Sequence, residues 1–219
     1  KSCINALLDH ACALDNLNEG SNLWLNELIW REFYKHITYL FPHVCQYQNF
    51  KQIDDQPLWQ NSQTYFQAWS EGKTGYPLID AAMLQLKQQG WMHNRLRMLV
   101  AMFLTKDLLI DWRWGERYFM HHLIDGDFSA NNGGWQWSAG IGVDAAPYFR
   151  VFNPITQSKR FDPKGQFIKS YLPKLKDLND KHIHFPDNNQ RKMCQYPNAI
   201  IDHKIARAEF IVRYKQLKG

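Results

Sequence analysis

Apolar residues spaced three and four positions apart are the feature that most restricts what this chain can fold into. Between Trp24 and Leu40 they form one helical stripe, made of Leu25, Ile29, Phe33, Ile37 and Leu40. Similar spacing predicts helices over about 77–90, 92–110 and 115–124, and another after Asp202. The chain shows no alternation of apolar and polar residues typical of a half-buried strand. We therefore expect an all-α fold.

Local signals set several expected boundaries. Pro77 suits a first helical position and Gly90 a carboxy-terminal cap, with a buried stripe of Ile79, Ala82, Met83 and Leu86. Asp202 should cap the last helix, with Ile205, Phe210 and Tyr214 facing inward. Residues 42–64 are predicted to be an irregular connection carrying an exposed Trp59. A loop is predicted at Asn131-Asn132-Gly133-Gly134.

Composition favours one domain over residues 1–219, because 219 residues with 45% apolar content support one substantial core. The cysteines Cys3, Cys12, Cys45 and Cys194 contain no CxxC pair, so we expect reduced thiols and no metal site. No apolar run is long enough to span a bilayer and no signal peptide is visible, which predicts a soluble, cytoplasmic protein without a membrane partner.

Charge is distributed unevenly along the chain. Residues 159–219 carry 14 Lys and Arg against 6 Asp and Glu, whereas residues 1–158 carry 12 against 15. This asymmetry suits contact with nucleic acid, although a solvated basic surface explains it slightly better. The same alternatives apply to Lys159, Arg160, Lys164 and Lys169 as phosphate contacts.

Polar and aromatic side chains share a second face of the first helix. Glu27, Trp30, Arg31 and Tyr34 fall at positions i, i+3, i+4 and i+7, which aligns a carboxylate, an indole, a guanidinium and a phenol. This mixture is unusual for a packing surface and indicates a binding site. The alternative for Glu27 is an ordinary ion pair with Arg31 at i+4.

Four long motifs occur in order: Asn26-Glu27-Leu28-Ile29-Trp30-Arg31-Glu32-Phe33, Gly72-Lys73-Thr74-Gly75-Tyr76-Pro77, Gly90-Trp91-Met92-His93-Asn94-Arg95-Leu96-Arg97-Met98, and Asp125-Gly126-Asp127 through Trp137. From Trp24 onward the chain resembles the cryptochrome and photolyase family. Asn94 and Met98 resemble the branch that repairs cyclobutane pyrimidine dimers. Asn131 stands where the pattern of plant cryptochromes has Asp and that of animal cryptochromes has Cys.

The resemblance implies the carboxy-terminal part of a helical FAD-binding catalytic domain. Family members begin with an α/β antenna domain and a Thr-Ser-rich segment around the flavin diphosphate. Neither pattern is visible before Trp24, so we expect this chain to be a piece of such an enzyme. Its partners would be the missing amino-terminal portion and damaged DNA.

The implied cofactor is FAD, and the resemblance assigns residues to it. Asp125, Gly126 and Asp127 would hold the flavin, with Arg97 pairing to Asp125, Trp91 packing on the flavin and Asn131 facing its N5 atom. Local sequence alone favours plainer alternatives: a turn at Asp-Gly-Asp, a loop Asn before Gly, and a core indole.

The implied reaction is light-driven cleavage of a cyclobutane dimer, as performed by a carbon–carbon lyase, through an electron from reduced FAD. Trp135, Trp112 and Trp59 match an electron relay to the surface, although an indole is more often a packing residue. Glu27 would bind the dimer bases, and Trp30 and Trp137 would stack on them after flipping. Asn94, Met98, Arg31 and Tyr34 would line this pocket, with Arg95 and Gln157 nearer the DNA backbone.

Two other functions fit the sequence. A cryptochrome-like binding or signalling module would bind DNA or another partner without turnover. A catalytically incomplete fragment would fold while its flavin site stays empty.

Overall fold

The computed structural model describes residues 19–143 and 147–217, and within them the fold is entirely helical. The predictions for Cys3, for Cys12 and for the segment before residue 19 lie outside these residues. The α-helices are α1 Glu19–Leu40, α2 Gln63–Ser70, α3 Pro77–Gln89, α4 Asn94–Met102, α5 Trp112–His122, α6 Phe128–Ala139, α7 Pro154–Phe161, α8 Gln166–Tyr171, α9 Asn188–Met193 and α10 His203–Gln216. Short 3₁₀ turns occupy Pro42–Gln46, Gln56–Leu58 and Pro173–Leu175, and a π-helical turn spans Phe103–Asp107. The expected all-α fold is confirmed.

Helix α6 lies near the middle of the molecule. It packs against α1, α4 and α5, while α3 packs against α4, α7 and α8. The core between these helices includes Trp69, Met83, Phe103 and Trp112, each at most 1% exposed. The arrangement places the amino-terminal end of α6 next to α1.

The boundaries of α3 follow the sequence signals. Pro77 occupies the first turn, where its missing N–H costs no helical hydrogen bond. Gly90 ends the helix in the left-handed conformation at φ +64°, and its N–H donates to the Leu86 carbonyl. The four residues of the predicted stripe are all buried.

The loop predicted at Asn131–Gly134 is wrong, because these residues lie inside α6. Asp127 starts the helix by accepting a hydrogen bond from the Ala130 N–H at 3.1 Å. Glycine is a poor helix former by propensity, but packing overrides that preference. A β-carbon at Gly133 would stand 2.1 Å from the Tyr34 ring, so the glycine permits close approach of α1.

The apolar stripe predicted for α1 is only partly buried. Leu25, Phe33 and Ile37 are half-buried, but Ile29 is 56% and Leu40 is 62% exposed. The reason is that α1 turns the neighbouring face, with Tyr34 and Thr38, toward α6.

The inward face predicted for α10 needs one correction. Asp202 caps this helix, and Phe210 and Tyr214 are buried as expected. Ile205 is 69% exposed, because the buried stripe runs through His203, Ala206, Phe210 and Tyr214.

A buried amine lies where the π-helical turn meets α10. Lys106 is 0% exposed, and its Nζ donates to the Arg150 carbonyl at 3.0 Å, 5.5 Å from the centre of the Phe210 ring. Burial lowers the pKa of Lys106 to about 7, against the opposing effect of the neighbouring Asp107. Asp107 in turn accepts a hydrogen bond from His203 Nδ1 at 2.6 Å.

Lys106→Met should remove a pH-dependent part of the folding stability. The unfolded amine titrates near 10.4, so above pH 7 the unfolded chain binds more protons than the native one, and the unfolding free energy rises with pH. Between pH 7 and 9 the wild-type free energy should gain about 2 kcal/mol relative to the variant. Urea unfolding at both pH values measures this, and parallel pH profiles would contradict it.

No helix of the described ranges is both long enough and apolar enough to cross a membrane.

Candidate functional site

The residues Asp125-Gly126-Asp127 form an acidic turn between α5 and α6, and an arginine from α4 binds to this turn. Arg97 Nη2 donates to both carboxylate oxygens of Asp125, at 3.0 and 2.8 Å. Its Nε donates to the Met92 carbonyl at 2.7 Å, which fixes the guanidinium against the start of α4. The pair between Arg97 and Asp125 implied by the resemblance is present. Both side chains stay partly exposed, so the turn offers hydrogen-bonding groups to a ligand.

The second aspartate of this turn joins α6 to α1. Asp127 Oδ1 caps α6, and its Oδ2 lies 3.5 Å from Arg31 Nε. Arg31 also pairs with Glu32 at 3.1 Å. The helical ion pair between Glu27 and Arg31 does not form, which leaves Glu27 exposed. This arrangement removes the plainer explanation for that carboxylate.

Asn131 projects from the first turns of α6 toward α5. Its Nδ2 donates to the carbonyl and to the Oε1 of Glu116, at 3.0 and 3.1 Å. Among the described residues no donor is found for the amide oxygen of Asn131, so it can accept a hydrogen bond from a ligand. Burial raises the pKa of Glu116, while the hydrogen bond from Asn131 acts in the opposite direction. The sequence reasoning missed Glu116, because nothing local marks a carboxylate 15 positions earlier as the partner of Asn131.

An exposed indole adjoins the acidic turn. Trp91 is 42% exposed, so the alternative of a core indole at Trp91 is wrong. Backbone pairing ties Trp91 to the turn, since the Ile124 N–H donates to the Gly90 carbonyl at 2.9 Å. Gly126 lies exposed between the two aspartates.

The donor set of this region fits FAD. A flavin needs flat apolar contact for its rings and hydrogen-bonding partners for its ring edge and ribityl hydroxyls. Trp91 provides exposed aromatic surface, and Arg97 provides donors beside the acidic turn. The oxygens of Asp125 and the amide of Asn131 provide acceptors.

The residues predicted to bind substrate lie on α1, α4 and α6. Trp30 and Tyr34 contact each other on α1, with ring centres 6.1 Å apart, and Trp30 is 47% exposed beside Glu27. Asn94 is exposed, and Met98 and Trp137 are half-buried.

Arg95 and Gln157, predicted near the DNA backbone, both line a cavity of about 350 Å³. The cavity lies between α3, α4, α7 and α8. The Arg95 guanidinium stacks 4.2 Å above the Phe161 ring, and Gln157 Oε1 is buried without a hydrogen-bond partner among the described residues. No contact between this cavity and the acidic turn is observed.

The first predicted relay residue, Trp135, lies in the core of α6. It is 2% exposed, and its ring meets Phe119 edge-to-face at 5.0 Å and Trp69 at 6.1 Å. Gly115 makes room for it, since a β-carbon there would stand 2.1 Å from the indole.

The prediction of an exposed Trp59 is wrong. The side chain is 8% exposed, because the Gln56–Leu58 turn folds it inward and its Nε1 donates to Asp55 Oδ2 at 3.2 Å. Trp112 is completely buried, and its Nε1 has no hydrogen-bond partner among the described residues.

A charged cluster missed from the sequence lies between these two indoles. Arg113 Nη1 donates to Asp55 Oδ2 at 3.1 Å and to Asp111 Oδ1 at 3.0 Å, and its guanidinium lies 4.8 Å from the Trp112 ring centre. Burial raises the pKa of Asp111, against the opposing effect of Arg113. Asp111 was not recognised because the sequence predicted this helix only from residue 115, whereas α5 begins at Trp112 with Asp111 as its cap.

Comparisons with known proteins agree with this architecture. A family model described as the FAD binding domain of DNA photolyase matches residues 24–216. The chain is 51% identical to a deoxyribodipyrimidine photo-lyase of Vibrio cholerae over 220 residues, covering 100% of the chain and 47% of that relative. The corresponding Escherichia coli protein is 52% identical and covers 98% of the chain and 46% of its own length. The chain thus spans about half the length of the curated relatives it matches.

A solved structure supports the same relationship. An archaeal photolyase from Sulfolobus tokodaii, described with two FAD molecules, superimposes with a TM-score of 0.82 at 44% identity. It covers 88% of this chain and 44% of its own.

Proposed function

This chain belongs to the family of FAD-binding domains of DNA photolyase, and from that membership we propose that it is part of an enzyme repairing cyclobutane pyrimidine dimers in DNA with light. The observation that carries the proposal is the acidic turn, where Arg97 pairs with Asp125, Asp127 joins α6 to α1 and the exposed Trp91 lies next to the turn. The enzyme would be a deoxyribodipyrimidine photolyase, acting in the cytoplasm in association with DNA.

The residues around the turn would hold the cofactor in one orientation. Asp125 and Asp127 would accept hydrogen bonds from its polar groups, with Gly126 leaving space between them, and Trp91 would cover a ring face. Asn131, fixed through Glu116, would present its free amide oxygen to the flavin N5 position. When bound and fully reduced, FAD would supply the electron that light makes available.

The face of α1 that carries Glu27, Trp30 and Arg31 would receive the dimer. Trp30 and Trp137 would stack on the flipped bases, because an extruded lesion loses its stacking partners in the duplex. Glu27 would hydrogen-bond to the dimer bases, since no ion pair with Arg31 occupies its carboxylate. Arg31, Tyr34, Asn94 and Met98 would shape the rest of this pocket.

Contacts with the DNA backbone would extend along the molecule from this pocket. Arg95, Gln157 and the basic side chains of α7 are the candidates, and phosphate contacts of this kind weaken as salt rises. The remaining half of the relatives' length would supply the other side of the flavin site.

The indoles Trp135, Trp112 and Trp59 would carry electrons from the surface toward the cofactor. Division of one long transfer among several rings makes each step short. Trp59 would be the outermost of the three, since it keeps 8% of its surface exposed whereas Trp135 keeps 2% and Trp112 none.

The test is repair of an oligonucleotide with a single thymine dimer, using protein loaded with chemically reduced FAD. Dimers should disappear in blue light and persist in the dark. Glu27→Gln should weaken dimer binding or lower the yield by about tenfold, the worth of a hydrogen bond to a charged group. Glu209→Gln, the same change on α10, should leave both unchanged. Dimer binding without light-driven loss would instead favour the cryptochrome-like module.

A further inference from the structure

The guanidinium of Arg113 is a neighbour of both Trp59 and Trp112. Arg113 donates to the same Asp55 oxygen that accepts the Trp59 N–H, and it also lies over the face of the Trp112 ring. The two indoles therefore share a charged neighbour but meet opposite charges: a carboxylate on the N–H of Trp59 and a cation on the face of Trp112.

These contacts act in opposite directions on an indole that has lost an electron. A hydrogen bond to a carboxylate strengthens when the N–H carries positive charge. A guanidinium over a ring is attracted by the electron density of the ring face, and removal of an electron turns that attraction into repulsion. The low dielectric of a buried site enlarges both effects.

Burial and hydrogen bonding of the two indoles also favour positive charge on Trp59 over positive charge on Trp112. Trp112 is completely buried, and its Nε1 has no acceptor among the described residues. Its N–H therefore has no acceptor that would stabilise positive charge on the ring. Trp59 keeps 8% of its surface exposed and has its acceptor in place.

We propose that Asp55 and Arg113 are positioning residues that set the direction of charge movement, so that an oxidised Trp112 takes an electron from Trp59. The inference rests on the relay in the proposed function. In this step one electron leaves the Trp59 ring and restores neutral Trp112. No covalent bond breaks, and the proton stays on Nε1 in its hydrogen bond to Asp55.

The direction can be tested without flavin. In a background with the four cysteines replaced by Ser, Gln60→Cys carries a ruthenium polypyridyl, which serves as the one-electron oxidant after flash and quench. Transient electron paramagnetic resonance then locates the radical, with Trp59→Phe and Trp112→Phe as reference spectra. The radical should lie mainly on Trp59.

Asp55→Asn should lower the ratio of radical on Trp59 to radical on Trp112 at least about tenfold, the loss expected for a hydrogen bond to a charged group. Asp54→Asn is the matched control, since this exposed neighbour caps Gln56 and does not bond to the indole, and it should leave the ratio unchanged. If Asp55→Asn does not fold, Arg113→Met should shift the ratio the same way by freeing the Trp112 face.

A ratio within about twofold of the parent in Asp55→Asn would overturn the proposal, as would a radical resting on Trp112 in the parent protein. Neither result touches the relay itself, which is tested separately by photoreduction of bound FAD in the Trp135 variant.

Discussion

Trp135→Phe is expected to slow light-driven reduction of oxidised FAD at least about tenfold, because phenylalanine gives up an electron far less readily than indole and the barrier rises accordingly. The substitution suits the site, since the ring lies against Gly115 and Phe119 and its N–H has no acceptor among the residues that the structure describes. Repair by FAD that is already reduced should be unaffected, because that reaction needs no electron from the protein.

Flash photolysis under anaerobic conditions measures the photoreduction, and the dimer assay measures repair. Trp69→Phe is the control, because this buried indole is not part of the proposed relay although its ring centre lies 6.1 Å from that of Trp135. It should keep photoreduction near the parent rate. Equal loss of photoreduction and repair in Trp135→Phe would show that Trp135 has a structural role and would contradict its assignment to the relay.

Gly133→Ala should destabilise the fold by about 2–3 kcal/mol, the usual cost of overpacking a tight contact. Its β-carbon would stand 2.1 Å from the Tyr34 ring and push α1 away from α6. Gly134→Ala, one position along the same helix, meets nothing within 4 Å and should stabilise by about 0.5–1 kcal/mol through helix propensity.

Urea unfolding of both variants measures the difference. Tyr34→Leu in combination with Gly133→Ala should recover part of the loss, because the smaller side chain can yield. Similar stabilities for the two alanine variants would mean that the close contact between α1 and α6 is not a constraint on the fold.

Local sequence signals predicted those parts of the fold that depend on local physics. Pro77 and Gly90 mark the ends of α3 because proline and a left-handed glycine act within one turn. Asn131–Gly134 misled the prediction because the need for Gly133 arises from Tyr34, almost one hundred positions earlier. Trp59 misled it for a similar reason: its polar neighbour Asp55 binds the indole instead of exposing it.

Only the site residues that belong to family motifs were predicted from the sequence. The ion pair of Arg97 with Asp125 was predicted from the family resemblance, since no spacing rule joins residues 28 positions apart. Glu116, Asp55 and Arg113 have no motif of their own and become visible only when α5 packs beside α6 and the Gln56–Leu58 turn. Such contacts between distant segments determine which charged groups lie next to each other in the site.

The central claim is that the acidic turn and its neighbours form a flavin site, and equilibrium titration of the chain with FAD tests it most directly. Bound flavin should show a structured absorption band and quenched fluorescence, and Arg97→Ala should weaken binding at least about tenfold by releasing Asp125. Lys73→Ala, which removes a cation paired with Glu71, should not alter the affinity. An unchanged flavin spectrum at saturating FAD, or equal affinity in Arg97→Ala, would contradict the account.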